Sequence, residues 1–423
     1  MLERVETPTD TKPDHGRDIL IFIYNLGGIL TFLASAVYQA VRGGRVGASS
    51  TPPDPLSTPL GVIGLTFCAG LLLPGLLSSL RRLKGRDLPP AKLPGIKFRE
   101  VVGLIVLWLV SVTLASLLIH LSDFGWIQAA PFYLLGIGVP VYGLAWIATG
   151  GLPAGAWRRL WTAFGLGMGG SALAAILAES LALRAGLALG RLAAATHPAV
   201  QAIVDQVKYL LDNLRDTEAL MNGQAAHPIT NPWVFLALLA FVAGVAPLVE
   251  EAVKPVAIWL AGKRLRSPAE GFALGALGGA GFALLEGLLV TGESTRAFGI
   301  GLTLRAASSL IHITGSGLVG WGIASALLEK RRRRLAWSYL AAVTLHGSWN
   351  GGALLALFGS FRFVARPDSP NLLGAGAILL GMSLLGLLFL TAMILLPVLN
   401  YRLRPAPAQH NDIIAPPNQT NKE

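Results

Sequence analysis

The chain has 423 residues, of which 53% are hydrophobic and only 13% are charged, and its mean hydropathy is +0.59. A soluble protein of this length cannot bury so much apolar surface, so the composition excludes a soluble globular fold and indicates many membrane-spanning helices. The formal net charge is +11, but the basic runs accompany no groove-reading motif, which argues against nucleic-acid binding. The single cysteine, Cys68, excludes a disulfide within the chain.

Ten stretches are long and apolar enough to predict transmembrane helices, so we expect an all-α, polytopic transmembrane helix bundle of about ten spans. A polar tail, residues 1–18, comes first. Five spans form an N-terminal membrane region, 19–183, and five more form a second membrane region, 232–402. The last segment, 403–423, is rich in Pro, Asn and Gln, which predicts a disordered tail. The predicted spans are residues 19–41, 59–80, 101–121, 127–149, 160–183, 233–262, 268–290, 298–328, 335–358 and 371–401.

A segment of a different kind, residues 184–231, lies between the two membrane regions. Its sequence AVQAIVDQVKYLLDNL has apolar residues at helical spacing, which predicts an amphipathic helix on the membrane surface or against the bundle. The loops and tails on the side of the termini hold 23 Lys and Arg residues, and the opposite side holds 9. The positive-inside rule therefore predicts a multi-pass protein of the inner (plasma) membrane, with both termini cytoplasmic and the amphipathic segment outside.

The second membrane region carries ionisable side chains inside its spans. The stretch EEAVK places Glu250, Glu251 and Lys254 within five residues of one apolar run. A charged side chain at the bilayer centre costs at least about 2.5–3.5 kcal/mol, so these residues need partners, water or a metal. Further polar residues in later spans are Glu286, Arg305, His312, His346 and Asn350.

Four of these residues, on four different spans, lie at similar depths. With a rise of about 1.5 Å per residue from the basic end of each span, the depths are about 20 Å for Glu250, about 27 Å for Glu286, about 25 Å for His312 and about 17 Å for His346. The values predict one shared site. Two imidazoles and carboxylates on facing helices suit a divalent metal, with zinc as the expected ion.

Spacing along the helices also predicts how these residues assist one another. Lys254 lies three residues after Glu251 and four after Glu250, so it can neutralise one glutamate while the other faces the metal and acts as general base. Asn350 follows His346 by one helical turn, where it can hold the imidazole or donate to a developing oxyanion.

The motifs follow one another in a fixed order, namely EEAVK (250–254), FALLE (282–286), Arg305 with His312, and His346 with Asn350. This order resembles the PrsW family, intramembrane metalloproteases related to the type II CAAX prenyl endopeptidases. The resemblance implies an endopeptidase that cleaves a membrane-associated protein or peptide by attack of metal-activated water. Glu250 or Glu251 would activate the water, with Lys254, Arg305 and Asn350 assisting. The implied metal ligands are Glu286, His312 and His346.

Two other functions fit parts of the same pattern. Intramembrane carboxylates and histidines also serve proton relays, so a cation- or proton-coupled transporter, or a scaffold that retains the polar cluster, is the main alternative. The stretch TGSG with His346 also suggests an intramembrane serine protease that uses Ser316 as nucleophile. That minor alternative would leave the glutamates, Lys254 and His312 without a role.

Overall fold

The computed structural model describes residues 15–45, 57–86, 91, 93–119, 121, 125–213, 226–290, 298–365 and 371–405. The regular elements within these ranges are helices, and nine of them are long and apolar enough to cross a membrane. The predicted all-α, polytopic bundle is thereby confirmed. Most of the two predicted terminal tails, residues 1–14 and 406–423, lies outside the described ranges.

Seven helices make up the described part of the first half. They are α1 (His15–Arg45), α2 (Ser57–Leu83), α3 (Phe98–Leu118), α4 (Gly125–Thr149), α5 (Trp157–Gly165), α6 (Ala172–Ala194) and α7 (Pro198–Asn213). A π-helical turn, Leu166–Ser171, joins α5 to α6, so the two form one continuous helix. This helix runs well past the predicted end of its span at residue 183, because the sequence up to Ala194 remains rich in Ala and Leu.

The amphipathic helix predicted between the membrane regions is α7. Its apolar face, represented by Leu210, packs with Ile229 and Val234 of the following short helices. α7 also contacts α6. α7 therefore packs against neighbouring helices, and its position relative to the membrane surface stays a prediction.

The second half contains eight helices in the described residues. They are α8 (Ala226–Thr230), α9 (Pro232–Leu239), α10 (Ala246–Val253), α11 (Val256–Ala261), α12 (Pro268–Val290), α13 (Phe298–Leu328), α14 (Arg332–Ala365) and α15 (Leu372–Leu403). A π-helical turn, Ala240–Val245, connects α9 to α10, and the run from Pro232 to Ala261 forms one candidate span.

The predicted span 335–358 lies inside α14, which is not among the nine apolar helices found in the described ranges. Polar residues such as Ser338, His346 and Asn350 lower its hydropathy. α14 follows α13 after only three residues and packs against both α13 and α15. A 34-residue helix is about 51 Å long, which is ample to cross the hydrocarbon core.

The helix that carries EEAVK is interrupted at Pro255, between α10 and α11. Proline has no backbone N–H and therefore breaks the helical hydrogen-bond ladder. The hydroxyl of Ser171 lies 2.9 Å from Val253 O and 3.3 Å from Lys254 O, where it donates to carbonyls that the break leaves without helical partners. The end of the π-helical turn before α6 thus supports the backbone next to Lys254.

α12 and α13 form the buried centre of the bundle. A stripe of glycines on α12, Gly271, Gly275 and Gly279, faces the backbone of α13, and a Cβ on any of them would collide with that helix. The contact of Gly279 is with His312 O. Because glycine has no side chain, the two helices pack backbone to backbone. This close contact fixes the position of His312 relative to α12.

One continuous hydrophobic core includes helices from both predicted membrane regions. Its buried members include Phe32 of α1, Tyr133 of α4, Phe272 of α12, Leu310 of α13 and Leu396 of α15. The Tyr133 hydroxyl also donates to Leu288 O on α12. The division of the chain into separate regions stays a prediction, while the packing shows that α2–α6 contact the helices that carry the polar residues.

Candidate metal and catalytic centre

Four helices bring the eight predicted site residues into one connected cluster. α10 with the residue after it supplies Glu250, Glu251 and Lys254, α12 supplies Glu286, α13 supplies Arg305 and His312, and α14 supplies His346 and Asn350. Each residue has an ion-pair or hydrogen-bond contact with at least one other member. The similar depths calculated from the sequence therefore correctly predicted that these side chains lie close together.

The ammonium group of Lys254 lies in the middle of the cluster and is fully buried. Its Nζ is 2.7 Å from Glu251 Oε1, 2.9 Å from Glu250 Oε2 and 2.7 Å from His312 Nδ1. The same atom lies 4.6 Å from the centre of the Phe282 ring, at cation–π distance. One cation thus neutralises a pair of adjacent glutamates and contacts a histidine of another helix.

His346 is oriented by a carboxylate on one side of its ring. Its Nδ1 lies 3.0 Å from Glu251 Oε1, so a proton on Nδ1 donates to that oxygen and Nε2 keeps its lone pair. Nε2 faces Glu250 Oε2 at 3.9 Å and Asn350 Nδ2 at 3.4 Å. Asn350 is itself held by donating to Val242 O at 3.0 Å. This carboxylate–histidine pair is the arrangement that commonly orients metal-binding imidazoles.

His312 has a charged group at each ring nitrogen. Because an ammonium only donates, Nδ1 accepts from Lys254, and the proton of the neutral ring lies on Nε2, 2.8 Å from Glu286 Oε2. The other oxygen of Glu286 accepts from Arg305 Nη1 at 2.7 Å. Arg305 therefore pairs with a glutamate inside the bundle. Binding of a cation at His312 requires this ring to exchange one of its two present contacts.

The site is most accessible at Glu286. The side chains of Glu286 and Arg305 are 33% and 25% exposed, whereas that of Glu250 is 12% exposed and that of Glu251 is fully buried. The π-helical turn and the break at Pro255 flank the buried end of the cluster. The polar cluster is therefore most exposed beside Glu286.

The arrangement of donor atoms fits a divalent cation. Glu250, His312 and His346 each offer a ligand atom, and these three atoms lie within 4.8 Å of one another. Oε2 of Glu250, Glu251 and Glu286 is buried and accepts no hydrogen bond, although Glu250 and Glu286 have short charged contacts there. A carboxylate oxygen has more than one lone pair, so these contacts leave acceptor capacity for a cation.

The structure therefore groups the candidate ligands differently from the sequence-based prediction. That prediction had Glu286 as the carboxylate ligand beside His312 and His346, and it gave Glu250 or Glu251 the role of base. The group of mutually close donor atoms contains Glu250, while Glu286 lies beside His312 at the accessible edge. Spacing along a helix does not determine side-chain rotamers, so the sequence could not separate the two glutamates.

Two residues near the cluster were missed by the sequence reasoning. Ser171 contacts the backbone at Lys254, and Glu179 lies on α6, which packs against α10. Glu179 is the only acidic residue in the predicted span 160–183, and this isolated carboxylate was a signal that could have identified it. Ser171 gave no such signal, because serines are common in membrane helices.

The pair required for a serine mechanism is not formed. The hydroxyl of Ser316 is buried, has no hydrogen-bond partner among the residues described, and lies where a Cβ on Gly279 would meet it. The ring nitrogens of His346 are instead directed at Glu251, Lys254 and Asn350. This geometry disfavours Ser316 as a nucleophile activated by His346.

A comparison with known families gives one match. Residues 218–367 match the family model described as PrsW family intramembrane metalloprotease. No curated protein and no solved structure matches the chain. The matched range contains all eight predicted site residues, whereas α1–α7 lie outside it. The motif order predicted this similarity to the PrsW family, and the match covers residues 218–367 of a multi-pass membrane protein.

Proposed function

We propose that the protein is a metal-dependent endopeptidase that cleaves a membrane-associated protein or peptide within the bilayer. The observation that carries this proposal is the buried group formed by Glu250, His312 and His346, whose ligand atoms lie within 4.8 Å of one another. The family match supports the same reaction class. Zinc is the expected ion because imidazole and carboxylate are its common ligands.

In the proposed site Glu250, His312 and His346 hold the cation. When bound, a divalent cation supplies Lewis-acid activation of water and of the scissile carbonyl. Glu251 is a positioning residue, since it is fully buried and holds His346 through Nδ1. Lys254 balances the charge of the adjacent glutamates and contacts His312. Asn350 stands beside His346 Nε2, where its amide can donate to a developing oxyanion.

We assign proton transfer to Glu286. A general base must be within reach of water, and Glu286 is the most exposed carboxylate among the predicted site residues. Its carboxylate would take a proton from the attacking water and pass it to the nitrogen of the leaving peptide. Arg305 donates to Oε1 and thereby holds the carboxylate in place.

The test combines metal analysis with cleavage of a reporter. Wild type and variants are purified, analysed for bound zinc, and reconstituted in liposomes with a library of single-span helices that carry a fluorescent protein at one end. His346→Ala should lose bound metal and cleavage together, because it removes a ligand. Glu286→Gln should keep the metal and lose cleavage by about 10²-fold or more, the usual effect of removing a general base.

His197→Ala is the matched control, because His197 is an exposed histidine that contacts Thr196 far from the cluster. It should retain both metal and cleavage. If His346→Ala binds as much zinc as wild type does, the proposed metal centre is refuted. Wild type that cleaves no reporter but drives cation flux into liposomes under a gradient would instead establish the transporter alternative.

A further inference from the structure

Tyr24 of α1 is hydrogen-bonded to the backbone of the π-helical turn that precedes α6. Its hydroxyl donates to Gly165 O at 2.7 Å and accepts from the N–H of Gly170 at 2.9 Å. These two backbone groups are five residues apart, which is the spacing that π-helical hydrogen bonds join. A side chain that inserts into the hydrogen-bond ladder distorts a helix locally. Tyr24 therefore stabilises the turn Leu166–Ser171 in its present shape.

The shape of this turn determines where Ser171 points. A π-helical turn has more residues per turn than an α-helix, so it rotates the residues that follow around the helix axis. Ser171 is the last residue of the turn and is fully buried. Its hydroxyl lies 2.9 Å from Val253 O and 3.3 Å from Lys254 O. The turn thus connects the hydroxyl of Tyr24 to the backbone of Lys254.

Lys254 O is able to accept from Ser171 because the helix is interrupted at the next residue, Pro255. In a continuous α-helix the N–H of residue 258 would donate to Lys254 O, but here it donates to Pro255 O at 2.8 Å. Lys254 O is also confined by α12, since a Cβ on Gly278 would come within 2.9 Å of it. A Cβ on Gly167 of the π-helical turn would in turn collide with Gly278 O. The turn, the break and α12 therefore meet at one tightly packed point.

The contacts of the Lys254 ammonium group depend on the position of this backbone. Nζ lies 2.7 Å from His312 Nδ1 and 2.9 Å from Glu250 Oε2, and both partners are proposed metal ligands. Such contacts weaken steeply when their length or angle leaves a narrow range. A small shift of the Lys254 backbone would therefore alter the contacts that hold both ligands.

We propose that Tyr24 and Ser171 are positioning residues of the metal centre, which act through the backbone of Lys254. Both lie outside the matched range 218–367, so helices of the first half contribute to the reaction. This role rests on the proposed function, since it requires that the cluster around Lys254 binds a metal and cleaves a peptide.

The test removes each hydroxyl alone and then both, in Tyr24→Phe, Ser171→Ala and the double variant of the full chain. The readouts are a Co²⁺ titration of the metal-free protein, followed by the visible absorption of the bound ion, and the kcat and KM of reporter cleavage. Each single variant should change the absorption and lower kcat by about 10-fold, the lower end of the usual effect of groups that support metal ligands, with KM unchanged. The double variant should resemble Ser171→Ala, because Tyr24 acts through Ser171.

Tyr38→Phe and Ser111→Ala are the matched controls. Tyr38 is an exposed tyrosine on α1, and Ser111 is a buried serine whose hydroxyl donates to Leu107 O within α3. Both variants should behave as wild type does.

Wild-type kcat and absorption in either Tyr24→Phe or Ser171→Ala would overturn the positioning role and leave the metal centre intact. Losses that multiply in the double variant would overturn it too, because the two hydroxyls would then act independently. If Tyr24→Phe does not fold, Ser171→Ala alone decides. If wild type itself neither binds Co²⁺ nor cleaves the reporter, the proposed function fails and the positioning role fails with it.

Discussion

The most unusual single residue in the bundle is Lys254, an ammonium group with no exposed surface. Burial of a lone charge is very costly, and here the cost is offset by Glu250, Glu251 and His312 within 2.9 Å of Nζ. Removing the lysine would leave Glu251 as a buried charge with His346 as its remaining partner. The two residues therefore stabilise the fold only as a pair.

We expect Lys254→Met to lower the free energy of unfolding of the metal-free protein by about 3–5 kcal/mol, because it breaks a buried ion pair. Thermal unfolding in detergent measures the change. Lys208→Met is the control, since Lys208 pairs with Asp212 on an exposed face, and its loss should cost no more than about 1 kcal/mol. A double variant with Glu251→Gln should recover part of the loss. If Lys254→Met and Lys208→Met lowered the free energy of unfolding equally, the buried ion pair would not stabilise the fold more than the exposed one.

Charged residues in apolar runs are conspicuous, so the sequence alone identified the residues that the structure brings together on α10, α12, α13 and α14. It could not identify which glutamate contacts which histidine, because that depends on rotamers and on the exact azimuth of each helix. Glu179 shows a second limit. A single carboxylate in a span predicts a partner but does not indicate which distant helix supplies it.

At the scale of helices, the contact between α12 and α13 depends on glycine. We expect Gly275→Ala to destabilise the protein by about 1–3 kcal/mol, because its new methyl group would overlap the backbone of α13 at Ser316 and Gly320. Gly138→Ala on α4 is the control, since no atom lies within 4 Å of the added group. Alanine favours helix by about 1 kcal/mol over glycine, so the control should be neutral or stabilising. The measurement is unfolding in detergent. If Gly138→Ala proved less stable than Gly275→Ala, close packing between α12 and α13 would be disproved.

Helix boundaries were less predictable than helix positions. Each of the ten predicted spans falls on helical chain, nine of them on the candidate membrane spans of the described residues, but the fifth was predicted to end at residue 183, whereas α6 continues to Ala194. The π-helical turns and the support of the break at Pro255 by Ser171 involve contacts between distant parts of the chain. Local patterns of hydropathy contain no information about such contacts.

At the scale of the whole molecule, the distribution of basic residues predicts an orientation that can be measured. The loop containing Arg331 should be cytoplasmic and α7 should be outside. The single cysteine is buried, so a Cys68→Ala background is suitable for labelling. A membrane-impermeant maleimide should label Asp212→Cys in intact spheroplasts, and Arg331→Cys only after permeabilisation. The native side chains of Asp212 and Arg331 are 61% and 60% exposed, respectively. Labelling of Arg331→Cys in intact spheroplasts, and of Asp212→Cys only after permeabilisation, would show the opposite orientation.

The glycine contact between α12 and α13 also limits how a peptide enters. Helices that meet backbone to backbone leave no side chains to rearrange, so α12 and α13 act as a rigid wall that bears Glu286 and His312. α10 lies in a span that is less buried than α12 and α13 and is interrupted at Pro255, and α14 has more exposed residues than either of them. Admission of a scissile bond therefore requires displacement of α10 or α14 and not separation of the wall. Cross-linking α12 to α13 should leave turnover intact, whereas tethering α10 to α14 should abolish it.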